Sequence, residues 1–258
     1  MKEHHLHLAI TTGELLLRNG AEISRVEQTI SYMARYMGAM RVDCFVTPTG
    51  MIISLVMAEE THTLVRRITS RSYNLAAVME LNDLSRRFCN GEIPAVALAE
   101  RLDNLSRPIP AKGQNLKMSL ASGLGSLGFS LISGLRLPLA LAYATINGAV
   151  VRYTLDYLTD RIAINSSLAV LLSSTLLTTL TFFYPGLDAT NRNLVNMGGL
   201  FLLLPGVTLT TSFRDLANGD LLTGVSRLAE ALLSLTLVAA GVIVSFTIWP
   251  WLQEVLLR

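Results

Sequence analysis

Residues 201–220 read FLLLPGVTLTTSFRDLANGD, an apolar run that a Pro-Gly pair, a series of hydroxyls and two opposite charges interrupt in turn. Pro205 deletes a backbone donor and frees a carbonyl four residues earlier, and Gly206 loosens the chain further. In hydrocarbon, freed backbone groups are tolerated only against protein or water. Broken helices of this kind present backbone ends to substrates in transporters. Thr208, Thr210, Thr211 and Ser212 could satisfy such groups or bind a small ligand. The competing explanation is a proline kink with no ligand at all. Arg214 and Asp215 could pair with each other at a cytoplasmic mouth, forming a gate, with Asp215 taking a coupling cation or proton. Equally, they could anchor a helix end at the interface, because charge inside a bilayer is expensive.

Other candidates have simpler explanations. Ser122, Ser126, Ser130 and Gly134 recur every four residues, a small-residue ridge suited to close helix packing. Asn147, Asn165 and Asn196 fall inside apolar runs and invite hydrogen bonds between helices. Ser24 and Glu27 have capping-box spacing, although Glu22, Arg25 and Glu27 could instead line a cytoplasmic regulatory surface. His4, His5 and His7 lack cysteine or carboxylate partners at ligand spacing, so no metal is expected. There is no GxSxG, P-loop or GxGxxG, which leaves ATP-driven transport unsupported.

These residues must be positioned by two unlike segments. The chain has 258 residues, mean hydropathy +0.46 and 16% charged residues, against about 25% in soluble domains. Lysine and arginine number 14 in residues 1–117 and 7 in 118–258; aspartate and glutamate number 12 and 7. Apolar segments at 118–135, 137–151, 162–184, 194–213 and 231–251 suggest five spans. Arg107, Lys112 and Lys117 before the first span place the N-terminus in the cytoplasm. Arg152, Arg161, Arg214 and Arg227 then fall inside, and Arg136, Arg192 and Arg258 outside. A net charge of +2 gives no support for a nucleic-acid partner. Cys44 and Cys89 form no CxxC pair, which suits a reducing compartment, and residues 1–20 meet acid and base too early for a signal peptide.

Residues 1–106 read as a small cytoplasmic α+β domain, 107–117 as a Pro/Gly linker, and 118–258 as an α-helical membrane domain. Helices are expected at 6–17, stopped by Asn19-Gly20, and at 22–37, stopped by Gly38. Alternation in RVDCFVTPTGMIISLVM predicts strands at 44–47 and 51–56 joined at Pro48-Thr49. HTLVRRI suggests a third strand, with further helices at 73–88 and 94–105.

Two separated motifs, GAEISRVEQTI…RVDCFVTPTGMIISL and LLLPGVTLTTSFRDLANGDLLTGVSRLAEALL, together resemble the threonine/serine exporter (ThrE) family. Length and the ending VSFTIWPW make the chain most similar to the family's short YjjP type of bacterial inner-membrane protein. The resemblance implies a secondary exporter of small metabolites, succinate or a similar dicarboxylate for the short type, threonine and serine for the long. It implies no cofactor and a separate small membrane partner of the YjjB type; self-association is a further possibility. The family's motif often carries Asn where this chain has Thr211, and it carries Asp at the position of Asp215. A membrane-anchored hydrolase is disfavoured, since no nucleophile with an adjacent base is evident. A membrane-anchored metabolite sensor is the remaining alternative.

Overall fold

The computed structural model describes residues 2–58, 60–69, 73–107 and 114–256. The described residues are mostly helical, with one small three-stranded sheet, and the chain's contacts divide it into two units. The linker expected at 107–117 falls largely on 108–113, outside the described residues, as do Lys112 and Arg258.

The first unit comprises Met1–Ile109 together with Thr210–Leu228, so part of the 118–258 segment belongs to it. Helices α1 (Lys2–Arg18) and α2 (Ile23–Tyr36) open the chain. The turn between them is legible in the sequence: Gly20 takes φ +86°, and the Ala21 amide donates to the Leu16 carbonyl at 3.0 Å. Only glycine adopts that backbone cheaply at a helix end. A meander follows, β1 (Arg41–Thr47), β2 (Gly50–Val56) and β3 (Thr61–Arg67). Thr47 pairs with Gly50, which leaves Pro48-Thr49 as a two-residue loop, as the alternation predicts. Met51, Ile53 and Leu55 point inward and are buried with Leu16, Ile23, Ile30 and Met33 of the helices. Each such side chain contributes about 1.5–3 kcal/mol. Helices α3 (Leu75–Cys89) and α4 (Ala95–Ser106) complete the core through Leu81, Leu98 and Leu102.

Ser24 and Glu27 do not form a capping box. Helix α2 begins at Ile23, and Glu22 is its N-cap, in extended conformation with no capping by its side chain. Glu27 turns away to accept a hydrogen bond from the Val46 amide of β1 at 3.2 Å.

The second unit, Pro110–Leu209 with Ala229–Arg258, is all helix: α5 (Gln114–Ile132), α6 (Pro138–Asp156) with a π-turn at Tyr157–Arg161, α7 (Ser166–Phe182) and α8 (Ala189–Phe201). Helices α9 (Gly206–Ala217) and α10 (Leu221–Leu256) each contribute to both units. The serine ridge of α5 is a packing surface, as its spacing predicts. A Cβ on Gly148 would lie 2.4 Å from that of Ser126, and one on Gly198 would lie 2.0 Å from Ser130 Oγ. Gly134 is not part of the ridge; α5 has already ended, and the residue turns at φ +104°.

The asparagines divide. Asn196 accepts from Thr178 between helices at 3.1 Å, and Asn147 accepts from the Tyr184 hydroxyl at 3.5 Å. Asn165 does not bond across helices: it caps α7, accepting from the Ser167 amide at 2.9 Å. The unit buries polar side chains beside apolar clusters that include Leu135, Ala144, Val151 and Leu177. Ser126, Ser130, Asn147, Ser173 and Thr178 are buried, while Leu120, Leu124, Leu172, Leu233, Ile243 and Phe246 are exposed. Among the described residues one helix, Leu221–Val255, is long and apolar enough to cross a membrane alone, and the bent pair α8–α9 qualifies as a second. Leu116–Ile132 and Ser166–Phe182 are apolar but shorter.

Candidate functional site

The opening stretch is broken where its residues demand. Helix α8 stops at Phe201 and α9 starts at Gly206, with a bend of 55°. The intervening turn tightens to three-residue spacing: Leu202 donates to the Gly199 carbonyl, Leu203 to Leu200 and Leu204 to Phe201, at 2.9–3.3 Å. The Phe201 carbonyl, which Pro205 deprives of its helical donor, is thereby occupied, contrary to expectation. The Leu209 amide bonds to the Pro205 carbonyl at 2.9 Å and restarts the helix. Along α9, Thr208 and Thr211 are half-buried, Thr210 is exposed and Ser212 is fully buried. Pro205 is half-buried and Gly206 exposed.

The charged residues downstream are built into the first unit. Helix α9 ends at Ala217, where Gly219 at φ +90° lets the Asp220 amide reach back to the Asp215 carbonyl at 2.9 Å. Helix α10 then returns across α9. A Cβ on Gly224 would meet Leu216 Cγ at 2.6 Å, so glycine permits that approach. The result brings Arg227 to Asp215, Nη1 to Oδ2 at 2.7 Å, with side chains 4% and 1% exposed. The other guanidinium nitrogen donates to the Ala21 carbonyl in the α1–α2 turn at 3.3 Å. Arg214 forms an ion pair with Glu22 of the same turn. Arg214 and Asp215 therefore do not pair with each other: Arg214 pairs with Glu22, 192 positions away, and Asp215 with Arg227, 12 positions on.

Asp215 keeps one acceptor in reserve. Its Oδ1 is buried with no hydrogen-bond partner among the described residues. A carboxylate with one oxygen on an arginine and the other unpaired can accept a proton or cation, or yield its arginine to another carboxylate. Charge taken out of water requires such compensation. Of the proposed regulatory surface, Glu22 holds Arg214, Arg25 is exposed, and Glu27 of α2 is half-buried with its carboxylate on the Val46 amide of β1. Burial pushes the Glu27 carboxyl above the usual carboxylate range; the Val46 amide opposes this and the nearby Asp220 reinforces it.

Arg227 is the member of the site that sequence reasoning ranked only as loop charge. A signal was present: Arg227 and Glu230 are the sole charges between Leu221 and Gln253, and charge in so apolar a run requires a partner.

Comparison with known proteins adds identity to this geometry. Residues 7–249 match the profile of a family described as "Putative threonine/serine exporter". The chain is 28% identical over 248 residues to a "Probable threonine/serine exporter" of Mycobacterium tuberculosis, covering 93% of this chain and 45% of that protein, so it spans less than half the length of that relative. It is also 23% identical over 244 residues to a "Probable succinate transporter subunit YjjP" of Escherichia coli K12, and 21% identical to the protein of the same description in Klebsiella aerogenes. Both alignments cover 94% of this chain and 93% of the relative. No solved structure matches. With the match running over nearly all of its length, the chain belongs to the threonine/serine exporter family.

Proposed function

We propose that the protein is one subunit of a secondary exporter for small metabolites, succinate or a similar dicarboxylate, in the bacterial inner membrane. The observation that carries this reading is the near end-to-end alignment with proteins described as succinate transporter subunits. Supporting it, the second unit buries hydroxyls and amides and turns leucine, isoleucine and phenylalanine outward, the arrangement expected of helices surrounded by lipid. The protein has five spans, α5, α6, α7, the bent α8–α9 and α10, after a cytoplasmic α+β domain, with a separate small membrane subunit of the YjjB type completing the path. It is a carrier rather than an enzyme.

Pro205 and Gly206 set the break, and Thr208, Thr210, Thr211 and Ser212 offer hydroxyls to the substrate along α9. A helix start carries partial positive charge, which favours an anion. Asp215, held by Arg227, is the gate, and Arg214, held by Glu22, flanks it. When Asp215 takes up a proton or cation, its hold on Arg227 weakens and a substrate carboxylate can compete for the guanidinium. A reporter fused at the C-terminus should be active only outside the cytoplasm.

The deciding experiment is export of labelled succinate from proteoliposomes containing this chain with and without the partner subunit. Gradient-driven efflux that needs both proteins is expected. Efflux of threonine or serine but not succinate would instead favour the second reading, for which the mycobacterial relative speaks. No efflux of any of the three would remove the exporter reading.

A further inference from the structure

The first unit contains a groove that the site above does not use. It runs between α2 and α3 with a volume of about 860 Å³, within the range of small-molecule sites, roughly 300–1,000 Å³. Arg25, Tyr32 and Arg35 line it from α2, at spacings that place them on one helix face. Arg86 faces them from α3.

Two features separate this groove from an ordinary charged surface. The first is its floor. Where two packed helices normally close on aliphatic side chains, the floor here holds Thr29 and Ser85, 9% and 4% exposed. Their hydroxyls are folded onto their own helices, Thr29 to the Arg25 carbonyl and Ser85 to the Asn82 carbonyl, each at 2.8 Å. Such a floor repels the apolar face of a docking helix and suits a polar ligand.

The second is the state of its arginines. Elsewhere in the unit, Arg18, Arg41, Arg87 and Arg107 each hold a carboxylate. Arg87 even faces two, Asp83 at 3.6 Å and Glu92 at 3.5 Å, whereas its neighbour Arg86 has none. Arg25, Arg35 and Arg86 have no ion-pair partner among the described residues. Glu27 is the groove's one acid, and it is engaged by the Val46 amide. Three unneutralised guanidiniums against one tied carboxylate make a basic cleft, and guanidinium forks match planar carboxylate or tetrahedral phosphate oxygens in pairs.

We infer that this groove is a binding site for a small anion bearing carboxylate or phosphate groups, separate from the transport path. Arg35 and Arg86 grip the anion from opposite walls and Arg25 attracts it from the α2 end. The site does not depend on the exporter reading, since it needs only the first unit's own residues.

The test is calorimetric titration of the full-length purified chain at low ionic strength with succinate and, separately, with inorganic phosphate. Saturable binding of at least one is expected, and the probe that binds more tightly identifies the source. The double variant Arg35→Gln/Arg86→Gln should weaken binding tenfold or more, with its melting temperature unchanged. Arg87→Gln, which alters a paired arginine outside the groove, should leave it within twofold. Absence of saturable heat with either anion would overturn the proposal. So would unchanged affinity in the double variant, or an equal loss in Arg87→Gln.

Discussion

Asp215 and Arg227 are 1% and 4% exposed and 2.7 Å apart, and that geometry sets the outcome of removing either. Arg227→Met leaves a carboxylate in a closed site with neither oxygen paired to a cation. Asp215→Leu leaves a guanidinium whose remaining contact is the Ala21 carbonyl. Breaking one side of a buried pair costs about 3–5 kcal/mol, because the survivor stays charged without compensation. For a chain of this size about 1 kcal/mol moves the melting temperature by about 2–4 °C, so each single variant should melt about 6–20 °C lower. The double variant Asp215→Leu/Arg227→Met removes both charges and should recover most of that loss, since apolar replacements of buried pairs are close to neutral. Thermal unfolding of the four proteins in one detergent closes the cycle. Export then separates folding from work: the double variant should be folded yet inactive if the pair is the gate. Single variants that melt within about 2 °C of wild type, with no coupling in the cycle, would refute the reasoning that this pair is dry and mutually dependent.

Replacing Pro205 and Gly206 together by alanine should restore a continuous helix through the bend and abolish succinate efflux while insertion stays intact; spin-label distances across the bend would report the straightening. Glu27 titrates above its ordinary value of 4.5 because it is half-buried, so the folded state holds its proton more tightly than the unfolded one. Its contribution is therefore largest at low pH and is lost as pH rises from the unfolded value through the raised folded one. Glu27→Gln should flatten that slope in denaturant midpoints compared with wild type. Gly198→Ala places a Cβ 2.0 Å from Ser130 Oγ and 2.6 Å from the Ser126 carbonyl, and should cost about 1–3 kcal/mol, visible as a lower melting temperature than that of Gly206→Ala, where a Cβ meets nothing within 4 Å.

What the sequence disclosed was chiefly local. The hairpin at Pro48-Thr49, the helix stop at Asn19-Gly20 and the break at Pro205-Gly206 each depend on a few adjacent residues whose backbone preferences are strong. The Glu22–Arg214 ion pair and the hydrogen bond from Arg227 to the Ala21 carbonyl were hidden because their partners lie 192 and 206 positions apart. Ser24 and Glu27 show the opposite failure. Their spacing satisfies a local motif, but the Val46 amide of β1 claims the glutamate and the cap falls two residues earlier, at Glu22. Asn165 misled in a similar way: inside an apolar stretch it resembled a link between helices, yet the chain had not begun its next helix there.

The first unit is assembled from chain segments that the ribosome delivers at different times. Met1–Ile109 emerges before a hundred residues of the second unit, and Thr210–Leu228 follows them. At about 5–20 residues per second, the α1–α2 turn waits on the order of 5–20 s for the arginines that Ala21 and Glu22 will receive. During that interval the early segment must hold its shape on the core of Leu16, Ile30, Ile53 and Leu81 alone, and the turn stands open. Limited proteolysis of stalled nascent chains should cut near residues 19–22 until residue 227 has left the ribosome, and lose access there afterwards. The closing of Arg227 onto the turn would then mark the moment at which the nascent chain has laid down the intervening helices and completed its first unit.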